Sequence, residues 1–109
     1  MLNSVTDWIA PEDWNRIVIC YEPVWVHGIE GGKVQALDAQ KACVNIRDWV
    51  KNVVHKEIGD KIRVIYGGEV DKNIAKEFIK QTDIDGFLVG KQSLTSEFAQ
   101  IVETVQAKA

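Results

Sequence analysis

The sequence holds only two cysteines, Cys20 and Cys43, one on an apolar strand signal and one on an apolar helix face. Buried thiols in a reducing compartment are expected there, which argues against a disulfide-stapled scaffold. No apolar run approaches the roughly 20 residues of a membrane span, so no spanning helix is expected. No basic-then-apolar leader precedes the body. The cytoplasm is the expected compartment, and an organelle matrix would leave the same signature. A strong charge of one sign is also missing. The formal net charge is −3, and the bases Lys51, Lys56, Lys61 and Arg63 are interleaved with acids. No general pull toward nucleic acid or an anionic membrane is expected. What is present suits a soluble globular chain: 109 residues, 46% hydrophobic and 27% charged, enough for a single domain over 1–109 with its own core.

Three apolar strand signals recur, at Ile17–Tyr21, Ile62–Tyr66 and Ile84–Val89. Their spacing of roughly 45 and then 22 residues is that of an α/β series, not of a short-period solenoid. Each is followed by a glycine-bearing loop and a segment of helical period. The first helix keeps Ala39, Ala42, Cys43, Ile46, Trp49, Val50 and Val53 on one face. Ile74, Ala75, Phe78 and Ile79 form a shorter stripe, and Phe98, Ile101, Val102 and Val105 the last, with Thr95 or Ser96 as candidate cap. Alternating strands and helices imply three parallel strands joined by crossover helices. Leu2–Ile9 reads as the tail of a helix with no strand before it. A three-stranded parallel sheet has two unpaired edges and a thinly covered core, so the sequence reads as part of a larger fold.

The segment Ile17-Val18-Ile19-Cys20-Tyr21-Glu22-Pro23-Val24-Trp25 carries the most chemical information. An unbroken apolar run is the signature of a strand buried on both faces. A carboxylate at its end is costly to bury and so faces a cleft or a partner. Where strands and helices alternate around a barrel, catalytic groups sit at the C-terminal strand ends. Glu22 is therefore the first candidate base, and a dry, partly apolar pocket would raise its pKa and suit it to that role.

Tyr21-Glu22-Pro23-Val24-Trp25, Tyr66-Gly67-Gly68 and Asp85-Gly86-Phe87-Leu88-Val89-Gly90, in this order, resemble triosephosphate isomerases. The resemblance runs from about Leu2 to Ala107 and implies a partial TIM (β/α)8 barrel: the last three strand–helix units and the end of the helix before them. That family interconverts dihydroxyacetone phosphate and glyceraldehyde 3-phosphate, with no cofactor and no metal. By this resemblance Glu22 moves the proton, and Pro23, Val24 and Trp25 form the hinge of a lid that excludes water. The resemblance also gives Gly67, Gly68 and Gly90, with Gly28 from the lid, to the phosphate. Backbone N–H groups approach an oxyanion closely where no side chain intervenes.

The sequence departs from that pattern in four places. The family's catalytic lysine and histidine, and a nearby asparagine, belong to the first half of the barrel. Neither His27 nor His55 matches that histidine, and both are expected to be solvated. The lid tip reads Gly28-Ile29-Glu30-Gly31-Gly32-Lys33 where the family has Gly-Thr-Gly-Lys. Glu69 stands where the family has serine, and Lys91 where it has a second glycine. Two like charges about 4 Å apart cost about 4 kcal/mol at an effective dielectric near 20, so Glu69 would repel a phosphate it faced. Lys91 could offset that repulsion or fill the site.

Two expectations follow. The chain is inactive by itself and serves as a structural subunit of a larger assembly. Alternatively, it is half of a split enzyme, active on triose phosphate only when another chain brings the missing lysine and histidine. The partner expected is a protein that completes the barrel or a larger assembly, or further copies of the chain closing a sheet.

Overall fold

In the computed structural model, residues 6–24 and 34–108 are described. Pro11 sets the first boundary. A proline pushes the residue before it to extended backbone, and Ala10 lies at φ −66°, ψ 147°. A 3-10 turn, Pro11–Arg16, starts there and buries Trp14. Of the helix tail expected over Leu2–Ile9, residues 2–5 lie outside the described residues, and Thr6–Trp8 form a 3-10 turn with no buried residue in place of an α-helical end.

Strand β1 (Val18–Tyr21), β2 (Arg63–Gly68) and β3 (Gly86–Val89) form one parallel sheet in the order β1-β2-β3. Between β1 and β2 run α1 (Ala36–Val53) and α2 (Lys56–Lys61); α3 (Lys72–Phe78) links β2 to β3, and α4 (Glu97–Lys108) ends the described chain. The architecture is α/β, three parallel strands alternating with helices, as a partial barrel requires. The short α2 had no stripe long enough to announce it. His55 starts it, its Nδ1 accepting the Glu57 N–H at 3.1 Å. Gly59 lets it cross α1 closely, because a Cβ there would stand 2.8 Å from the Lys51 backbone nitrogen. Thr95 spends its hydroxyl on the turn before α4, donating to the Gln92 carbonyl at 2.9 Å.

The register separates two sheet faces. Val64 and Tyr66 are buried, and Ile19, Tyr21, Phe87 and Val89 pack beside them against Ala39, Cys43, Val50, Phe78 and Ile101 of the helices. The opposite face carries Val18, Cys20, Arg63 and Leu88, all exposed, with Ile65 and Gly67 between them. The expectation that the first strand is buried on both faces is therefore corrected, since among the described residues no layer covers its second face and β1 lies at a sheet edge. For the same reason Cys20 is exposed, not buried as expected, while Cys43 is fully buried; both are free thiols. At the ends of the long stripes the helices also show more water than expected: Val53, Phe98 and Val102 are exposed.

One charged residue sits inside this core. Arg47 is 8% exposed, on the buried side of α1. Its Nη1 donates to the carbonyls of Gly59 (3.0 Å) and Ile62 (2.8 Å). Its Nε reaches Asp83 at 2.9 Å, and Nη2 reaches Asp85 at 3.2 Å. Asp83 is held in turn by Gln40, at 2.6 Å. Asp85 accepts the Val64 N–H at 2.9 Å, so the guanidinium ties α1 and the α2–β2 link to the segment entering β3. A buried charge is tolerable when every donor has a partner, and here nearly the whole guanidinium fork is engaged.

Candidate functional site

Parallel pairing brings the C-terminal strand ends to one edge of the sheet. Tyr21 pairs with Tyr66, and Gly68 with Val89, so Glu22, Glu69 and Gly90 follow at the same end. Glu22 leaves β1 as an exposed residue, and Pro23 beside it is buried. The Val24 N–H donates to the Glu22 carbonyl at 2.9 Å, a tight exit from the strand. Of the expected hinge, Pro23 and Val24 are placed so. Trp25 lies outside the described residues, as do His27, Gly28 and the remainder of the lid tip to Lys33.

The Glu22 charge reaches inward. Although Cys20 is exposed, the partial desolvation of its thiol, and then the Glu22 carboxylate, push it above its usual range. Burial first, then Tyr21, Glu22 and Glu69, raise the Tyr66 phenol in the same way. Tyr66 is 4% exposed, its ring 4.9 Å from that of Phe78 and 6.4 Å from that of Tyr21. Its hydroxyl lies 2.9 Å from where a Cβ on Gly68 would be. A buried phenol beside Gly68 was not legible in the sequence, where Tyr66 was the end of a strand signal and the start of a glycine motif.

The loops after β2 and β3 enclose a cleft of about 290 Å³, lined by Gly68, Glu69, Val70 and Asp71 on one wall and Gly90, Lys91 and Gln92 on the other. The Asp71 carboxylate caps α3, accepting the N–H groups of Asn73 (2.9 Å) and Ile74 (2.8 Å). The Gly90 carbonyl accepts from Ser93 twice, from its N–H at 2.9 Å and its hydroxyl at 2.6 Å, which closes the 3-10 turn Lys91–Leu94.

The candidate glycines differ in what surrounds them. A Cβ on Gly67 would stand 2.7 Å from Cys20 Sγ and 3.5 Å from the Leu88 Cβ, so this glycine is needed for strand packing on the open face. Gly67 is not among the cleft's lining residues, whereas Gly68 and Gly90 are. A Cβ on Gly90 would meet nothing within 4 Å. Packing among the described residues thus makes no demand for glycine there, and its backbone is open to the cleft.

A larger cavity of about 340 Å³ lies at the other end of the sheet, between the Pro11–Arg16 turn and α2. Its charges balance, Glu12 and Glu57 against Lys61 and Arg63, and Arg63 is already bonded to the Asn15 carbonyl at 2.9 Å. That end of such a fold serves stability, not chemistry. Among the described residues no group of three or more His, Cys, Asp or Glu could hold a metal ion, and no helix is long and apolar enough to cross a membrane. His55, expected to be solvated, is exposed and serves as the α2 cap.

Comparison with known proteins agrees with this geometry. The sequence model of a family described as triosephosphate isomerase matches residues 1–105. A triosephosphate isomerase of Paracoccidioides lutzii is 41% identical over 102 residues, covering 93% of this chain and 40% of that protein. A chloroplastic triosephosphate isomerase of Arabidopsis thaliana is 46% identical over 101 residues, covering 91% of this chain and 31% of the relative. A cytosolic one of Stellaria longipes is 45% identical over 97 residues, with coverage of 87% and 37%. The chain thus spans less than half the length of the relatives it matches.

Proposed function

The chain belongs to the triosephosphate isomerase family, and we propose that its 109 residues supply the C-terminal, base-bearing part of a barrel and do not isomerise triose phosphates by themselves. The observation that carries this reading is the sheet's open face. Glu22 is exposed just past the end of a three-stranded sheet whose second face has nothing over it among the described residues.

Proton transfer beside a carbonyl leaves negative charge on the carbonyl oxygen, and preorganised donors aimed at that oxygen usually supply the largest catalytic contribution. Glu22 would take the proton. The donors would have to come from the lysine and histidine expected of the first half of the barrel. The phosphate would sit in the cleft of Gly68–Asp71 and Gly90–Gln92, with Gly67 behind it shaping the loop and Gly28 closing from the lid. Pro23, Val24 and Trp25 would carry that lid.

A non-catalytic, structural role within a larger assembly is the reading we favour for the chain alone. Its support is Glu69 on the cleft wall, a carboxylate where an oxyanion would bind. The second reading, a split enzyme, is favoured by Glu22 and an open loop cleft remaining at one end of the sheet. In both, the partner is a protein that completes the barrel, with self-association as the remaining route. The proposed compartment is the cytoplasm, or an organelle matrix, since the named relatives include a cytosolic and a chloroplastic enzyme.

Mixing the pure chain with the first half of a family barrel separates the two. Restored isomerase activity that is lost in Glu22→Gln supports the split enzyme. A chain that stays inactive and migrates within a very large native complex supports the structural role.

A further inference from the structure

Most charges near the loop cleft are already engaged. The Asp71 carboxylate is committed to the first turn of α3, and Lys72 lies 4.0 Å from Glu97. Glu69 and Lys91 are different. They stand on opposite walls, both exposed, and among the described residues neither joins an ion pair or a side-chain hydrogen bond.

We infer that this cleft selects a small zwitterionic ligand, a phosphate monoester bearing a primary amine, over bare phosphate. The inference rests on the proposed reading of the cleft as an oxyanion site. A phosphate dianion entering between these walls is attracted by Lys91 and repelled by Glu69, so the two effects oppose each other. A ligand with an ammonium a few bonds from its phosphate sets each charge against its opposite, and both wall residues gain a partner. Charge complementarity of this kind yields selectivity even where total affinity is modest.

The dimensions agree. A volume of about 290 Å³ is just under the roughly 300–1,000 Å³ of small-molecule sites, which suits a small occupant. The open backbone at Gly90 lets the phosphate approach N–H groups of the Lys91–Leu94 turn while Lys91 reaches it from the side. Glu69 then discriminates between ligands through charge, without taking part in proton transfer.

Amide chemical shifts of the isotope-labelled chain, read at residues 68–71 and 90–92, give the test. Phosphoethanolamine and inorganic phosphate are titrated separately at equal pH and ionic strength. In the natural chain phosphoethanolamine should half-saturate at a concentration about threefold lower than phosphate, the size of one exposed charge pair. In Glu69→Gln, which keeps the side chain's shape, that preference should vanish and phosphate should bind more tightly than before. Equal binding of the two probes by the natural chain overturns the inference and leaves the oxyanion site standing, as does a preference that survives in Glu69→Gln. If neither probe moves these amides in either protein, the cleft is not an oxyanion site: the inference falls with the phosphate-site reading it rests on, and the structural role stands.

Discussion

Arg47 and Glu22 are both charged residues on apolar elements, and their surroundings are opposite. Arg47 is buried among three carbonyls and two carboxylates, all supplied by this chain. Glu22 stands exposed just past the end of a sheet with one face uncovered among the described residues. A charge whose partners are all present is part of the fold. A charge with no ion pair or side-chain hydrogen bond among the described residues takes no part in holding them together. The sheet's helix-covered side thus supplies its own partners, while the described residues leave Val18, Cys20, Arg63 and Leu88 of the other face exposed.

The largest expected effect tests the helix-covered side. Arg47→Ala leaves Asp83, Asp85 and the Gly59 and Ile62 carbonyls without their shared donor. It should destabilise the chain by about 3 kcal/mol, the lower end for a broken buried pair because both aspartates keep some water. Urea unfolding measures this directly, and a loss of under about 1 kcal/mol would mean the network is not what holds α1 to the sheet.

Next in size is an alkaline effect on the same side. Burial first, with Asp83 and Asp85 adding to it and Arg47 opposing, lifts the Cys43 thiol from 9.0 to about 11. Unfolded chains lose that proton at lower pH than folded ones, so the stabilisation is complete below pH 9.0 and is lost as pH climbs through about 11. Cys43→Ala should flatten that part of the stability profile. Cys20, being exposed, should be alkylated first at neutral pH.

A smaller effect lies where the two sides meet. Gly67→Ala places a methyl 2.7 Å from Cys20 Sγ and should cost about 1–2 kcal/mol by overpacking. Cys20→Ala should recover most of it, seen as a coupling energy in a double-mutant cycle. Independent effects would mean that β1 moves aside on its own, as an edge strand with an uncovered face could.

The smallest effect is at Glu22 itself. Glu22→Gln should change stability by no more than about 0.5 kcal/mol, as at surface sites away from special features. A large loss would mean that Glu22 already has partners within this chain, and the contrast with Arg47 would fail.

Much of this was legible in the sequence, for physical reasons that also mark where it stopped. The three strands and the long helix showed through hydrophobic period alone, because α1 turns Ala39, Cys43 and Val50 to a continuous core. The placement of Glu22, Gly68 and Gly90 at one sheet end followed from parallel pairing. Arg47 was missed, although a lone arginine three residues before Val50 and four after Cys43 stands on the apolar stripe and could have been read as a buried ion. The six-residue α2 was too short to show a period. The exposure of Cys20 could not be read from an apolar run, because the run suits a strand covered on both faces and only neighbouring strands and helices decide how many are covered. Nor could the sequence show that Gly67 faces Cys20 while Gly68 and Gly90 face the cleft, since that depends on strand register.

The proposal that the chain does not isomerise triose phosphates by itself is tested by an isomerase assay of the purified chain alone. No turnover above buffer is expected, with Glu22→Gln indistinguishable from the natural chain. Turnover by the chain alone that disappears in Glu22→Gln would contradict it.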